Sequence, residues 1–200
     1  FFVGLLAYFP NKKERSQIKI REGFLIVAIF WFVLSFFGAI PFLMDESLKF
    51  SLVDAIFEST SGWTTTGATV LSNIDNLNKP LLLYRQLLQW LGGIGIVVLV
   101  LAILPILGVG GMYLYKAETS SPVKDNKLSP RITETAKSLW GVYIVLTIAC
   151  AVLYKIAGMS YFDAIGHSFS TVSIGGFSTH DASIGFYSSD LIKIICMVFM

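Results

Sequence analysis

Two stretches of the chain concentrate groups able to hold a cation stripped of its water. "FESTSGWTTTGATV", Phe57 to Val70, carries seven hydroxyls and one carboxylate between apolar flanks. "SYFDAIGHSFSTVSIGGFST", Ser160 to Thr179, has the same makeup. Set against "SLVDAIFESTSGWTTTGAT", it matches at Ser51/Ser160, Asp54/Asp163, Ala55/Ala164, Ile56/Ile165, Ser59/Ser168 and Ser61/Ser170, and a one-residue gap then brings Gly67 opposite Gly175. Glycine enters backbone conformations closed to residues with a Cβ. Neighbouring Ser and Thr hydroxyls satisfy strained backbone locally. An extended chain of this kind aims peptide carbonyls at an axis and replaces an ion's hydration shell, the mechanism known from potassium channels. The chemistry indicated is cation coordination by main-chain oxygens, with Gly67 and Gly175 where the backbone turns.

Such stretches need elements to place them. Ser51-x-x-Asp54 and Ser160-x-x-Asp163 match the pattern that caps a helix N-terminus. Asp54 and Asp163 lie thirteen and twelve residues before their glycines, so both read better as caps than as ion ligands. "SLVDAIF" forms only about two turns, too short to cross a bilayer, which needs about 20 residues of helix. A short helix that dips in and returns as extended chain points its partly negative C-terminal end at the membrane centre. Irregular backbone at that depth is tolerated only in protein or beside a water-filled cavity. Similarity over about 109 residues indicates duplicated units sharing one task.

The rest of the chain reads as membrane helix. Hydrophobic residues make up 54% and charged ones 14%, with a mean hydropathy of +0.71, against about 25% charged in soluble domains. Gly23–Met44 is 22 residues without a charge, Gln86–Tyr115 is 30, and Ser138–Tyr154 adds 17, borderline for a span. Lys12, Lys13, Arg15, Lys19 and Arg21 precede the first run; Lys116, Lys124, Lys127, Arg131 and Lys137 separate the second from the third. Those ten of the fifteen Lys and Arg predict cytoplasmic segments. The segment from Asp45 to Pro80 then begins and ends outside, as a dipping loop requires. A net charge of +2 offers no nucleic-acid footprint. The opening "FFVGLLAYFP" lacks a basic n-region, so a signal peptide is not expected. Both ends read as cut from a larger protein.

"TTTGAT" and "TVSIGGF", together with "RQLLQWLGGIGIVVLVLAILPILGVGG", resemble the Trk-type potassium uptake proteins of the Trk/Ktr/HKT superfamily. The second-helix signature Arg85, Gln86, Gln89, Trp90 and Gly92-Gly93-Ile94-Gly95 is long and specific, and "SPVKDNKLSPRITETAKSLW" fits the same group. The resemblance implies an all-α integral membrane fold of helix–pore loop–helix units, four of them around one pore, in a multi-pass bacterial inner-membrane protein. It implies filter strands at Thr65, Thr66, Gly67, Ala68 and Thr69, and at Ser173, Ile174, Gly175, Gly176 and Phe177. It further implies K+ as the transported ion with no organic cofactor, a homodimer set in lipid, and gating by a cytoplasmic nucleotide-binding subunit of the TrkA kind. The organisation expected is a preceding helix end at 1–9, a first unit over 10–115, a cytoplasmic linker at 116–129 and a second unit over 130–200, truncated in its closing helix. Only two of four units stand in this chain, and two strands cannot close a ring, so alone it is not expected to conduct.

Other residues leave alternatives. Arg85, at the outer start of the second helix, either forms an ion pair near the pore or snorkels to headgroups. Glu58 is a functional candidate as a membrane carboxylate, or packs inside a helix pair. His167 and His180 lack metal-ligand spacing, and Cys150 and Cys196 stand apart, indicating neither a disulfide nor a zinc site. Gly92, Gly93 and Gly95 permit close helix approach. "GVGG" at Gly108–Gly111, after Pro105, reads as a helix break or a hinge. Ser129-Pro130 reads as an N-cap with Pro at N1. No Ser/His, paired-Asp or zinc arrangement indicates an enzyme. A gated potassium pore leads, and a secondary transporter coupled to H+ or Na+ is the alternative.

Overall fold

The computed structural model describes residues 20–107 and 128–200. The helices and 3-10 turns fall in one order that repeats, apart from one extra short helix in the first unit, with no strand among the described residues. The first unit holds α1 (Ile20–Gly38), α2 (Ile40–Met44), α3 (Leu52–Trp63) and α4 (Lys79–Leu107). The second holds α5 (Leu128–Ile156), α6 (Tyr161–Val172) and α7 (Asp190–Phe199). The expected helix end at 1–9, Lys12 to Lys19, Gly108–Gly111 and most of the 116–129 linker lie outside the described residues.

Two differences of extent have simple causes. The first charge-free run is two helices rather than one, because Pro41 at the start of α2 lacks the N–H that would continue α1. The third run, borderline at 17 residues, sits inside a helix of 29, because Glu, Lys and Thr before it are good enough helix residues to extend it. That helix begins at Leu128, a residue before the expected cap at Ser129. Val27–Met44 and Glu134–Ile156 are long and apolar enough to cross a membrane.

The short helices α3 and α6 have twelve residues each, about 18 Å of rise. Both start at the predicted caps. Asp54 N donates to Ser51 Oγ at 3.2 Å while Ser51 N donates to Asp54 Oδ2 at 3.1 Å, a full capping box. Asp163 N donates to Ser160 Oγ at 3.1 Å. Each unit packs its own apolar cluster: Ala39, Phe42, Ala55, Leu81 and Leu88 in the first, Cys150, Tyr154, Met159, Ala164, Ile192 and Ile195 in the second. Helix α4 packs against both α3 and α6 and so joins the units. The polarity is inverted relative to a water-soluble protein. Phe32, Phe37, Val145 and Ile148 face outward, while Arg85, Gln86, Gln89 and Glu58 are fully buried. An interior of this kind suits a protein whose outer solvent is hydrocarbon.

Candidate functional site

After each short helix the chain turns back through a stretch wired the same way. Thr66 N donates to Ser61 O at 2.9 Å, and Gly175 N to Ser170 O at 2.8 Å. Ser61 Oγ donates to Ala68 O at 2.5 Å, and Ser170 Oγ to Phe177 O at 2.6 Å. Left-handed backbone occurs at Thr65 (φ 53) and Gly67 (φ 75), and again at Ile174 (φ 56) and Gly176 (φ 87). For β-branched Thr65 and Ile174 this conformation costs about 1–3 kcal/mol each. It persists because the serine bonds on either side fix the peptides.

This wiring corrects the sequence alignment. The units match without a gap, so the counterpart of Gly67 is Gly176, and Gly175 pairs with Thr66. Gly175 does not turn through the left-handed region as expected. Its missing Cβ serves contact instead, since a Cβ there would run into the amide of Gln89. A Cβ on Gly67 would overlap the carbonyl oxygen of Gly175, so the two stretches touch at that point. Among the described residues none donates to the carbonyls of Thr65, Thr66, Gly67, Ile174 or Gly176.

Arg85 does not snorkel. It is wholly buried, with Nε donating to Glu58 Oε1 at 2.8 Å, Nη2 to Thr69 Oγ1 at 3.1 Å and Nη1 to Ser178 O at 3.3 Å. The guanidinium carbon also lies 4.2 Å from the centre of the Phe177 ring, a favourable place for a cation. Glu58 in turn accepts from Thr69 Oγ1 at 2.9 Å and from Val70 N at 3.1 Å. The pair therefore holds the return of both stretches. In the second unit His167 stands where Glu58 stands in the first, its Nε2 3.0 Å from Ser178 Oγ. That support role carries no motif.

The glycines of α4 bring it against both stretches. A Cβ on Gly92 would strike the Trp63 carbonyl, and one on Gly93 would come within 2.9 Å of Ser173 Cβ and Tyr143 Oη. Gly95 has no such need, since its Cβ would meet Trp31 at an ordinary 3.7 Å. Trp90 fixes the helix from its other side, donating to Thr147 Oγ1 at 3.0 Å and stacking on Phe169 at 5.2 Å. Gly92→Ala is thus expected to lower stability by about 1–3 kcal/mol, the usual cost of overpacking against backbone. Gly95→Ala is expected to melt like the parent. Equal melting temperatures for the two variants would refute this packing.

A second contact joins the units outside the long helices. His180 Nδ1 lies 2.5 Å from Asp75 Oδ1, and its Nε2 lies 3.6 Å from Asp163 Oδ1. Asp181 N donates to Asp75 Oδ2 at 3.4 Å. The His180 ring stacks on Phe186 at 3.7 Å between centroids. Hydrogen bonding from His180, the largest cause, holds the Asp75 carboxyl below its ordinary 3.8. A depressed carboxylate contributes its stabilisation above the unfolded value and loses it as pH falls through the folded one. Hydrogen-exchange protection around 180–187 is expected to hold at neutral pH and to drop as pH falls below the ordinary aspartate value. Asp75→Asn should remove that response, and an unaltered pH profile in the variant would count against the contact.

Among the described residues no three His, Cys, Asp or Glu converge as metal ligands, and Cys150 and Cys196 are free thiols.

A family model described as "TrkH: Cation transport protein" matches residues 1–200. The chain is 59% identical over 197 residues to the Trk system potassium uptake protein TrkH of Halomonas elongata, and 58% identical over 198 residues to that of Escherichia coli K12. The Trk system potassium uptake protein TrkG of E. coli is 46% identical over 195 residues. These alignments cover 98%, 99% and 98% of this chain but 41%, 41% and 40% of the relatives, so the chain spans about two fifths of their length. The crystal structure of the potassium transporter TrkH from Vibrio parahaemolyticus matches with a TM-score of 0.84 at 52% identity, over 99% of this chain and 39% of that one.

Proposed function

Because the chain belongs to the TrkH family of cation transport proteins, we propose that its two stretches form part of a potassium-selective pore in the intact protein. Relatives of this kind are transporters rather than enzymes. In this reading α1 to α4 and α5 to α7 are two helix–pore loop–helix units that enter the bacterial inner membrane from outside. Thr65 to Thr69 and Ser173 to Phe177, with the register corrected as above, supply half of a ring. The intact protein dimerises and is gated by a cytoplasmic nucleotide-binding subunit of the TrkA kind.

One observation carries the reading: two stretches with the same serine wiring touch at Gly67 and Gly175, each with carbonyls that accept no hydrogen bond from the described residues. Thr66, Ile174 and Gly176 are exposed and Thr65 and Gly67 half-buried, so these carbonyls are open to an incoming ion, and beside a dehydrated K+ a peptide oxygen is a ligand. The negative ends of α3 and α6 add a favourable potential for a cation. The test is single-channel recording of the intact protein in a planar bilayer. Potassium-selective unitary currents are expected. Slow flux tied stoichiometrically to H+ or Na+, without unitary events, would replace the pore with the coupled transporter.

A further inference from the structure

Resting on the pore reading above, we infer that Gln89 is a positioning residue that sets ion specificity by locking the Gly175–Gly176 peptide. Gln89 lies on α4, the closing helix of the first unit, yet it serves the second. Its Nε2 donates to Gly175 O at 2.7 Å, and its Oε1 accepts from Phe177 N at 3.0 Å. The side chain is wholly buried. One amide thus holds an acceptor and a donor on either side of Gly176, so the peptide between them cannot rotate without breaking a bond.

The place of this brace follows from the sequence of the loop. A peptide joining two glycines has no Cβ on either side and is the easiest in the loop to flip. Its counterpart in the first unit joins Thr66 to Gly67 and has a Cβ to restrain it. No side chain of the described residues donates to Thr66 O. The brace therefore stands at the glycine pair and is absent where a Cβ already restrains the chain. The described part of α7 shows no amide or guanidinium at the matching positions. Counted from the helix starts at Lys79 and Asp190, Gln89 falls opposite Met200 and Arg85 opposite Cys196. A carbonyl has two acceptor sites, so Gly175 O bonded to Gln89 keeps a lone pair for an ion. What Gln89 fixes is the direction of that pair.

The experiment measures relative K+ and Na+ permeability of the intact protein in Gln89→Met, Gln89→Glu and Gly67→Ser. Gln89→Met keeps the volume and loses both bonds, and is expected to lower the K+ preference about tenfold, the equivalent of one well-made buried hydrogen bond. Gln89→Glu, whose protonated carboxyl can donate to Gly175 O and accept from Phe177 N, is expected to retain the parental preference. A folded Gln89→Met protein with the parental ratio overturns the inference, as does an equal loss in both Gln89 variants. The filter reading fails separately: it falls if Gly67→Ser also leaves the ratio unchanged, and survives if only the Gln89 variants do. Should Gln89→Met not reach the membrane, Gln89→Asn, one methylene too short to span both partners, takes its place. Failure of both to fold would assign Gln89 a role in assembly and overturn the specificity role.

Discussion

Arg85→Met in the intact protein is expected to cost about 3–5 kcal/mol of stability, the largest loss from any single substitution in this region. The cost does not come from the Arg85–Glu58 attraction alone. Both side chains are almost wholly removed from solvent, at 1% and 0% exposure. Bringing two ions into such a place consumes most of what their attraction returns. Removing the cation leaves Glu58 with only the Thr69 hydroxyl and the Val70 N–H. It also releases Ser178 O and uncovers the Phe177 ring, so both return stretches lose their common tie. The double variant Arg85→Met/Glu58→Gln removes the stranded charge, and is expected to recover more than half of the loss because the two effects are coupled. Thermal unfolding of the purified protein followed by tryptophan fluorescence measures both. A single variant that melts with the parent, or a double variant no better than the single, would show that the pair does not hold the stretches together.

The capped short helices were legible because a cap is local. Ser51 and Asp54 lie one turn apart, as do Ser160 and Asp163, and their bonds need no tertiary context. The long helices were legible in kind because a bilayer selects for unbroken apolar runs, but not at their ends, where Thr, Lys and Glu extend a helix without adding hydropathy. The fate of Arg85 was not legible. Its partner lies twenty-seven positions back on another helix and faces it only after the chain has returned through Thr69. Sequence distance hid the Asp75–His180 contact for the same reason, with 105 positions between them. The glycine register failed more instructively. Two glycines stand side by side in the second unit, and residue type alone cannot tell which supplies a left-handed turn and which makes room for a neighbour. The backbone angle at Gly176 and the Gln89 amide behind Gly175 separate them. His167 has no metal partners to mark it in sequence, and its use is to stand where Glu58 stands and hold Ser178.

That division between the glycines carries the other large effect. Gly67→Ser is expected to reduce the K+ over Na+ preference of the intact protein by about tenfold or more, equivalent to at least ~1.4 kcal/mol of discrimination. Two costs fall on this one position. The left-handed φ of 75 disfavours a residue with a Cβ by about 1–2 kcal/mol. The added Cβ would also occupy the place of the Gly175 carbonyl oxygen, and backbone cannot yield as a side-chain tip can. The overlap is relieved only by moving one stretch against the other, which displaces carbonyls in both. Gly176→Ser separates the two costs. It shares the left-handed backbone, at φ 87, but its Cβ would meet nothing nearer than Gly67 Cα at 3.8 Å. Its effect on selectivity is therefore expected to be the smaller of the two, although both replace a turning glycine with the same residue. Reversal potentials under bi-ionic conditions rank them. Were Gly176→Ser to match or exceed Gly67→Ser, backbone strain alone would set selectivity, and the contact between the two stretches would have no part in it.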